Sequence, residues 1–298
     1  MLKHYSDLKT LLYLILATTL FFIQWNTGFH IAVYVLSLYF SITIAVIAHN
    51  INHVPMWKSP FLNQVTSNWI TLLYGFPAFA WKPTHNINHH KLNNREHDYT
   101  ITYRISEKNN VFTLLSYPSI SSYYQQSAIR KYLVGLYQTD RTEFVLALVQ
   151  AFVLVVFIIV TLLLDWQKCL LYVIVPHQFA LFTIMVFNYI QHVHADEESH
   201  YNHSRNFTSR FTNFMMFNNG YHTIHHHKAN LHWSQLPQAH AQIAHLIEPH
   251  LNESTIIGYL LKTYIMAPLG LTRQSVSMRQ LRKAKEKESQ HALQEVTA

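Results

Sequence analysis

The chain has 298 residues, 50% of them hydrophobic and only 12% charged, where a soluble domain averages about 25% charged. A formal charge of +7 comes without the basic, aromatic-interleaved stripe of a nucleic-acid binder, so no nucleic acid is expected. The lone Cys169 excludes an internal disulfide and a cysteine-ligated zinc or iron–sulfur site, whereas histidine, at 22 residues, equals Lys and Arg together.

In chain order, residues 10 to about 27 form the first apolar run of spanning length, a span needing about 20 residues. Asn26-Thr27-Gly28 supplies a turn, and residues 31–48 form the second run. That run leads into His49-Asn50-Ile51-Asn52-His53. Residues four apart share a helix face, so His49 and His53 point the same way. The stretch 68–81 carries Gly75 and Pro77; it is expected to lie at the interface rather than cross. Next comes His85-Asn86-Ile87-Asn88-His89-His90, where the same spacing pairs His85 with His89 and leaves His90 beside them. The stretch 111–124, with Pro118 and several serines, is a second interfacial candidate.

Residues 144–164 and 169–190 are the third and fourth spans, and neither contains Lys, Arg, Asp or Glu. Within the fourth, His177 is expected to face the bundle interior and line a substrate cavity. Asn188 and His192 share a face at its end, with His194 an alternative to His192. His222-Thr223-Ile224-His225-His226 combines both helical spacings. The stretch 256–271, broken by Lys262, Pro268 and Gly270, is a third interfacial candidate. The tail 273–298, with Arg279, Arg282, Lys283, Lys285 and Lys287, reads as a solvated, partly helical end touching anionic lipid. No small-residue cleavage site follows the first run, so no removable signal is expected. No repeat or linker divides the chain, which is read as one domain over 1–298 with its core at about 30–250.

The expected fold is thus an all-α membrane protein: four transmembrane helices in two hairpins, under a cytoplasmic helical cap holding the histidines. All of the 22 Lys and Arg except Lys168 lie before the first span, in 49–143 or after the fourth, which makes those regions cytoplasmic. An even number of crossings separates successive clusters, so all emerge on one face. His49, His53, His85, His89, His90, His192, His222, His225 and His226 are nine candidate ligands, more than one ion of this kind accepts, so two ions are expected. Imidazole also suits zinc, copper and nickel. Glu96, Asp98, Asp196, Glu197 and Glu198, with Asn50, Asn52, Asn86, Asn88 and Asn219, are candidates to receive the rings' second nitrogens. His97, His200 and His203 read as loop residues. His227, His232, His240, His245 and His250 read as polar surface or as support behind the ligands.

These boxes, in this order, resemble the membrane fatty acid desaturase family, the histidine-box diiron desaturases and hydroxylases. The resemblance covers roughly residues 30–250. Asn188-Tyr189-Ile190-Gln191-His192 is similar to a further element of acyl-CoA desaturases. There the Asn meets a metal-bound water, which implies that role for Asn188. Gly220 to His227 and Leu231 to Pro237 look like the end of desaturase-type domains. The resemblance implies two non-haem irons, O2, external electrons, and desaturation of a fatty acyl chain or acyl thioester. It implies no catalytic residue beyond the ligands. The chain has no His-Pro-Gly-Gly haem segment and no Gly-rich dinucleotide loop. A separate donor of ferredoxin, rubredoxin or cytochrome b5 type is therefore expected, in a bacterial inner membrane or the endoplasmic reticulum. Lys58, Lys82, Lys91, Arg95, Arg104, Arg205 and Arg210 are candidates to meet an anionic head group. Hydroxylation of an alkyl chain, or carotenoid ketolation or hydroxylation, uses the same site. A metal transporter would instead place its ligands inside the spans.

Overall fold

The computed structural model describes residues 1–297; Ala298, the last residue of the basic tail, lies outside the described residues. The regular structure is helical apart from a two-residue parallel pair, Asn206–Phe207 with Asn252–Glu253. Four helices among the described residues are long and apolar enough to cross a membrane: α1 (Asp7–Thr27), α2 (Ile31–His53), α5 (Arg141–Leu164) and α6 (Trp166–His192). Between α2 and α5 lie α3 (Pro60–Tyr74) and α4 (Val111–Thr139). The short α7 (His222–His227) and the terminal α8 (Met278–Thr297) follow.

Local chemistry sets the boundaries. Gly28 at φ 85° takes the left-handed turn between α1 and α2. The Asp140 carboxylate accepts from the Glu143 amide at the start of α5. Asp165 accepts from the Gln167 and Lys168 amides at the start of α6. The apolar windows of α2 and α6 are 44% buried against 22% for α1 and α5, so α2 and α6 form the inner pair. Ile44, Ala45, Ile47, Tyr189 and Ile190 pack at their contact. Phe152, Val155 and Leu163 of α5 point outward, as a lipid-facing surface requires. α2 continues unbroken to His53, so the first histidine cluster sits on the inner pair itself.

Two stretches differ from the sequence reading. α3 begins at Pro60, capped by the Ser59 hydroxyl, and packs against α2 and α5. Its Trp69 indole donates to the Thr18 hydroxyl of α1 at 2.8 Å. α4 does not stop near residue 124 but runs 29 residues to Thr139. Pro118 removes one helical hydrogen bond, but tertiary bonds carry the helix past it. Tyr189 donates to Thr113 at 2.8 Å, and Asn188 donates to the Tyr117 hydroxyl at 2.6 Å.

The tail also departs from a purely solvated end. Arg279 of α8 lies over the Tyr103 ring at 3.6 Å and bonds Glu197 at 2.9 Å and Glu107. Arg282 bonds Asp196 at 2.8 Å and Glu197 at 2.9 Å. Asp196 and Glu197 therefore hold the tail rather than the histidines, and Glu198 pairs with Arg95. Arg205 is buried, donating to the Ile190 and Val193 carbonyls, so it does not face a head group.

Candidate metal centre

The nine histidines gather in two adjoining groups: His49, His53, His85, His90 and His225, and His89, His192, His222 and His226. In the first, the Nε2 atoms form a closed cycle. His49 lies 2.9 Å from His85 and 2.9 Å from His225, and His90 lies 3.0 Å from each of those two. A metal–nitrogen bond of about 2.1 Å gives edges of about 3.0 Å in a square and about 3.4 Å in a tetrahedron. The cycle matches the square. The His85 and His225 rings face each other across it, nearly parallel at 13° and with centroids 5.9 Å apart. The His53 ring sits 4.6–5.2 Å from all four others, close enough to join the same group. Its Nε2 is buried without a hydrogen-bond partner.

In the second group, His192 Nε2 lies 3.1 Å from His89 and 2.9 Å from His222, and His222 lies 3.2 Å from His226. The groups meet where the His90 and His226 rings stack at 4.4 Å. Two imidazole nitrogens this close need a shared proton or a shared cation. Nine of them, with an orphaned buried nitrogen among them, fit two metal ions.

One placement corrects the spacing argument. His85 and His89 do not fall in one group; His85 gathers with His90, and His89 goes to the other group. Residues Lys82–His89 wind as a π-helix, entered by Pro83 and continued by His90–Leu92. The wider π turn aligns residues five apart instead of four, and such turns are common at functional sites. His49 with His53, and His222 with His226, keep the expected four-residue pairing.

The second ring nitrogens explain the orientation. His89 Nδ1 lies 2.8 Å from Asp98, which is fully buried and also accepts the Asn94 amide and both the amide and hydroxyl of Thr100. Burial pushes the Asp98 carboxyl up, but His89 and the Thr100 bonds outweigh it and hold the group below the usual carboxylate range. His49 Nδ1 faces the Asn50 side chain at 3.1 Å. His192 Nδ1 donates to the His203 carbonyl at 3.2 Å. His203, read from sequence as a loop residue, is buried and supports a candidate ligand. Only its position eleven residues after His192 hinted at this. Of the other expected supports, Asn52, Asn86 and Asn88 bond backbone instead. His194 turns away to Glu107 and Ser275 and joins neither group.

Burial, and then the neighbouring rings, lower the imidazoles of His85, His90, His222, His225 and His226 from their ordinary 6.5. They are therefore neutral at pH 7, the form that binds metal. The sign for the metal-free protein follows. Below pH 6.5 the unfolded chain takes up protons that the fold refuses, so stability present above that pH is lost as pH falls. Each such ring contributes at most about 1.4 kcal/mol per pH unit. Metal-stripped protein should therefore melt earlier at about pH 5.5 than at about pH 7.5, which thermal unfolding checks.

An apolar cavity of about 370 Å³ opens beside the groups, reaching His49, His85 and His222. Trp81, Phe182 and Phe187 line its walls, together with Asn188. No Lys, Arg, Asp or Glu lines it among the described residues. Four spanning-length helices around two adjoining histidine groups define a membrane protein with a candidate dimetal centre. The family model for fatty acid desaturases matches residues 14–255, and the chain belongs to that family. No curated protein and no solved structure matches it.

Proposed function

We propose that the protein is an O2-dependent, membrane-bound diiron oxidoreductase that desaturates a fatty acyl chain. The observation that carries the reading is the contact of both histidine groups with one uncharged, largely apolar cavity. Each methylene moved from water into such surroundings gains about 0.8 kcal/mol, so the cavity suits an acyl chain. Its lack of charged residues keeps an anionic head outside. His49, His53, His85, His90 and His225 would hold one iron, and His89, His192, His222 and His226 the other. When bound, the irons would let O2 act as the oxidant for breaking unactivated C–H bonds. Overall, the chain would lose two hydrogens, and O2 with two electrons and two protons would leave as two waters.

The residues around the site have separate tasks. Asp98 and Thr100 keep the His89 proton on Nδ1, freeing Nε2 for metal. The His203 carbonyl does the same for His192. Asn188, held by Tyr117 on the cavity wall, would meet a metal-bound water. Turns at Gly28 and Asp165 support two helical hairpins, and the lysine and arginine distribution supports a cytoplasmic cap. A separate ferredoxin, rubredoxin or cytochrome b5-type donor would supply electrons. Hydroxylation remains the second reading, because the same histidine centre in this family serves both outcomes.

Purified protein should carry close to two irons per chain, measured by elemental analysis; a single zinc would overturn the assignment. Mass spectrometry of lipids from cells expressing the chain should find acyl chains two hydrogens lighter. A product heavier by one oxygen would move the reading to hydroxylation.

A further inference from the structure

The protein holds a second cavity, of about 160 Å³, lined by α1, α2, α3, α5 and α6. It adjoins the larger one across the contact of two packed elements. Two elements build the partition, the C-terminal end of α3 and the middle of α6. Leu72, Leu73, Pro176 and His177 line the second cavity. Their immediate neighbours Tyr74, Phe76, Gln178 and Leu181 line the first. The elements touch at Gly75 and His177. Gly75 ends α3 at φ 76°, and a Cβ there would sit 2.2 Å from the His177 ring. His177 Nε2 donates to the Leu72 carbonyl at 2.9 Å, one of the acceptors that the end of α3 leaves unpaired. His177 therefore does not line the cavity beside the histidine groups, as its sequence position suggested; it lines the second cavity, behind Tyr74, Phe76 and Gln178, which face the larger one.

Asn188 and Gln178 both border the larger cavity, and ten residues of helix span about 15 Å. That cavity thus runs from the histidine groups along α6 to the partition. The second cavity continues beyond it to Tyr172 and, on α1, to Gln24, whose buried Oε1 has no partner. We infer that His177 sets the length of chain the enzyme accepts, by ending the substrate cavity at its contact with Gly75. This rests on the reading that an acyl chain occupies the larger cavity. The methyl end of a bound chain would stop against this wall, and removing the ring would join the two spaces.

The test supplies saturated acyl chains of graded length to membranes carrying the full-length protein, and resolves the oxidised products by mass spectrometry. His177→Ala should retain activity on chains the wild type accepts and extend the upper limit. The long-to-short product ratio should rise about fourfold for each further methylene housed. His177→Asn keeps a donor for the Leu72 carbonyl and should shift the limit in the same direction if the alanine variant fails to insert. Adding Ser41→Leu, which fills the second cavity, should return the wild-type limit. An active variant with an unchanged length profile overturns the inference alone. A wild type that oxidises no acyl chain overturns the functional reading, and the inference falls with it.

Discussion

His225→Ala is expected to abolish turnover, a loss of at least about a thousandfold, since removing a metal ligand forfeits several kcal/mol of transition-state stabilisation. The ring closes two of the four edges of the square, to His49 at 2.9 Å and His90 at 3.0 Å. Truncating it leaves three rings of the cycle and His53, with one side open. The side chain lies on α7, outside the four spanning helices, so membrane insertion should persist. Product formation, normalised to protein in the membrane, reads the first effect. Iron content should drop towards one ion per chain, because the four rings of the other group are untouched. Full activity in this variant would remove α7 from the site.

Asp98 offers the second large effect, and two substitutions separate its roles. Asp98→Asn preserves shape but turns an N–H toward His89 Nδ1, so the ring must give up its present tautomer. Iron affinity should fall about 10- to 100-fold, as for other carboxylates behind a metal-bound histidine, with a stability loss of about 1–3 kcal/mol because the Asn94 amide shares that oxygen and loses its acceptor. Asp98→Ala strips acceptors from the His89 ring, the Asn94 amide and the Thr100 amide and hydroxyl together. Each buried donor left unpaired costs about 1–3 kcal/mol, so this variant should lose stability as well as iron. Chelator competition reads affinity, and thermal unfolding reads stability. Unchanged iron retention in the asparagine variant would refute the role.

Most of this centre was legible in the sequence because imidazole spacing on a helix is a short-range signal. His49 and His53, or His222 and His226, need nothing but the α-helical repeat to face one way. His85, His89 and His90 defeated that logic. Residues Lys82–His89 are mostly polar, and no local preference announces a π turn. Their division between two groups was therefore not foreseen there, although all nine grouped histidines were named as candidates. Asp98 stood among five acids of equal standing. What singles it out is burial and a fixed loop, both products of tertiary packing. The spans were legible from composition and length. The reach of α4 beyond Pro118 was not, because the partners that stabilise it, Asn188 and Tyr189, lie on α6 some 70 residues away. The clasp of Arg279 and Arg282 on Asp196 and Glu197 is equally long-range, and a count of basic residues suggested lipid instead.

Both histidine groups draw on α7 as well as on helices made much earlier, with 176 residues separating His49 from His225. Neither group is complete until synthesis reaches His225 for the first and His226 for the second. An interrupted translation product thus carries five of the nine imidazoles from the first two clusters, or six once His192 is made, and never the complete set.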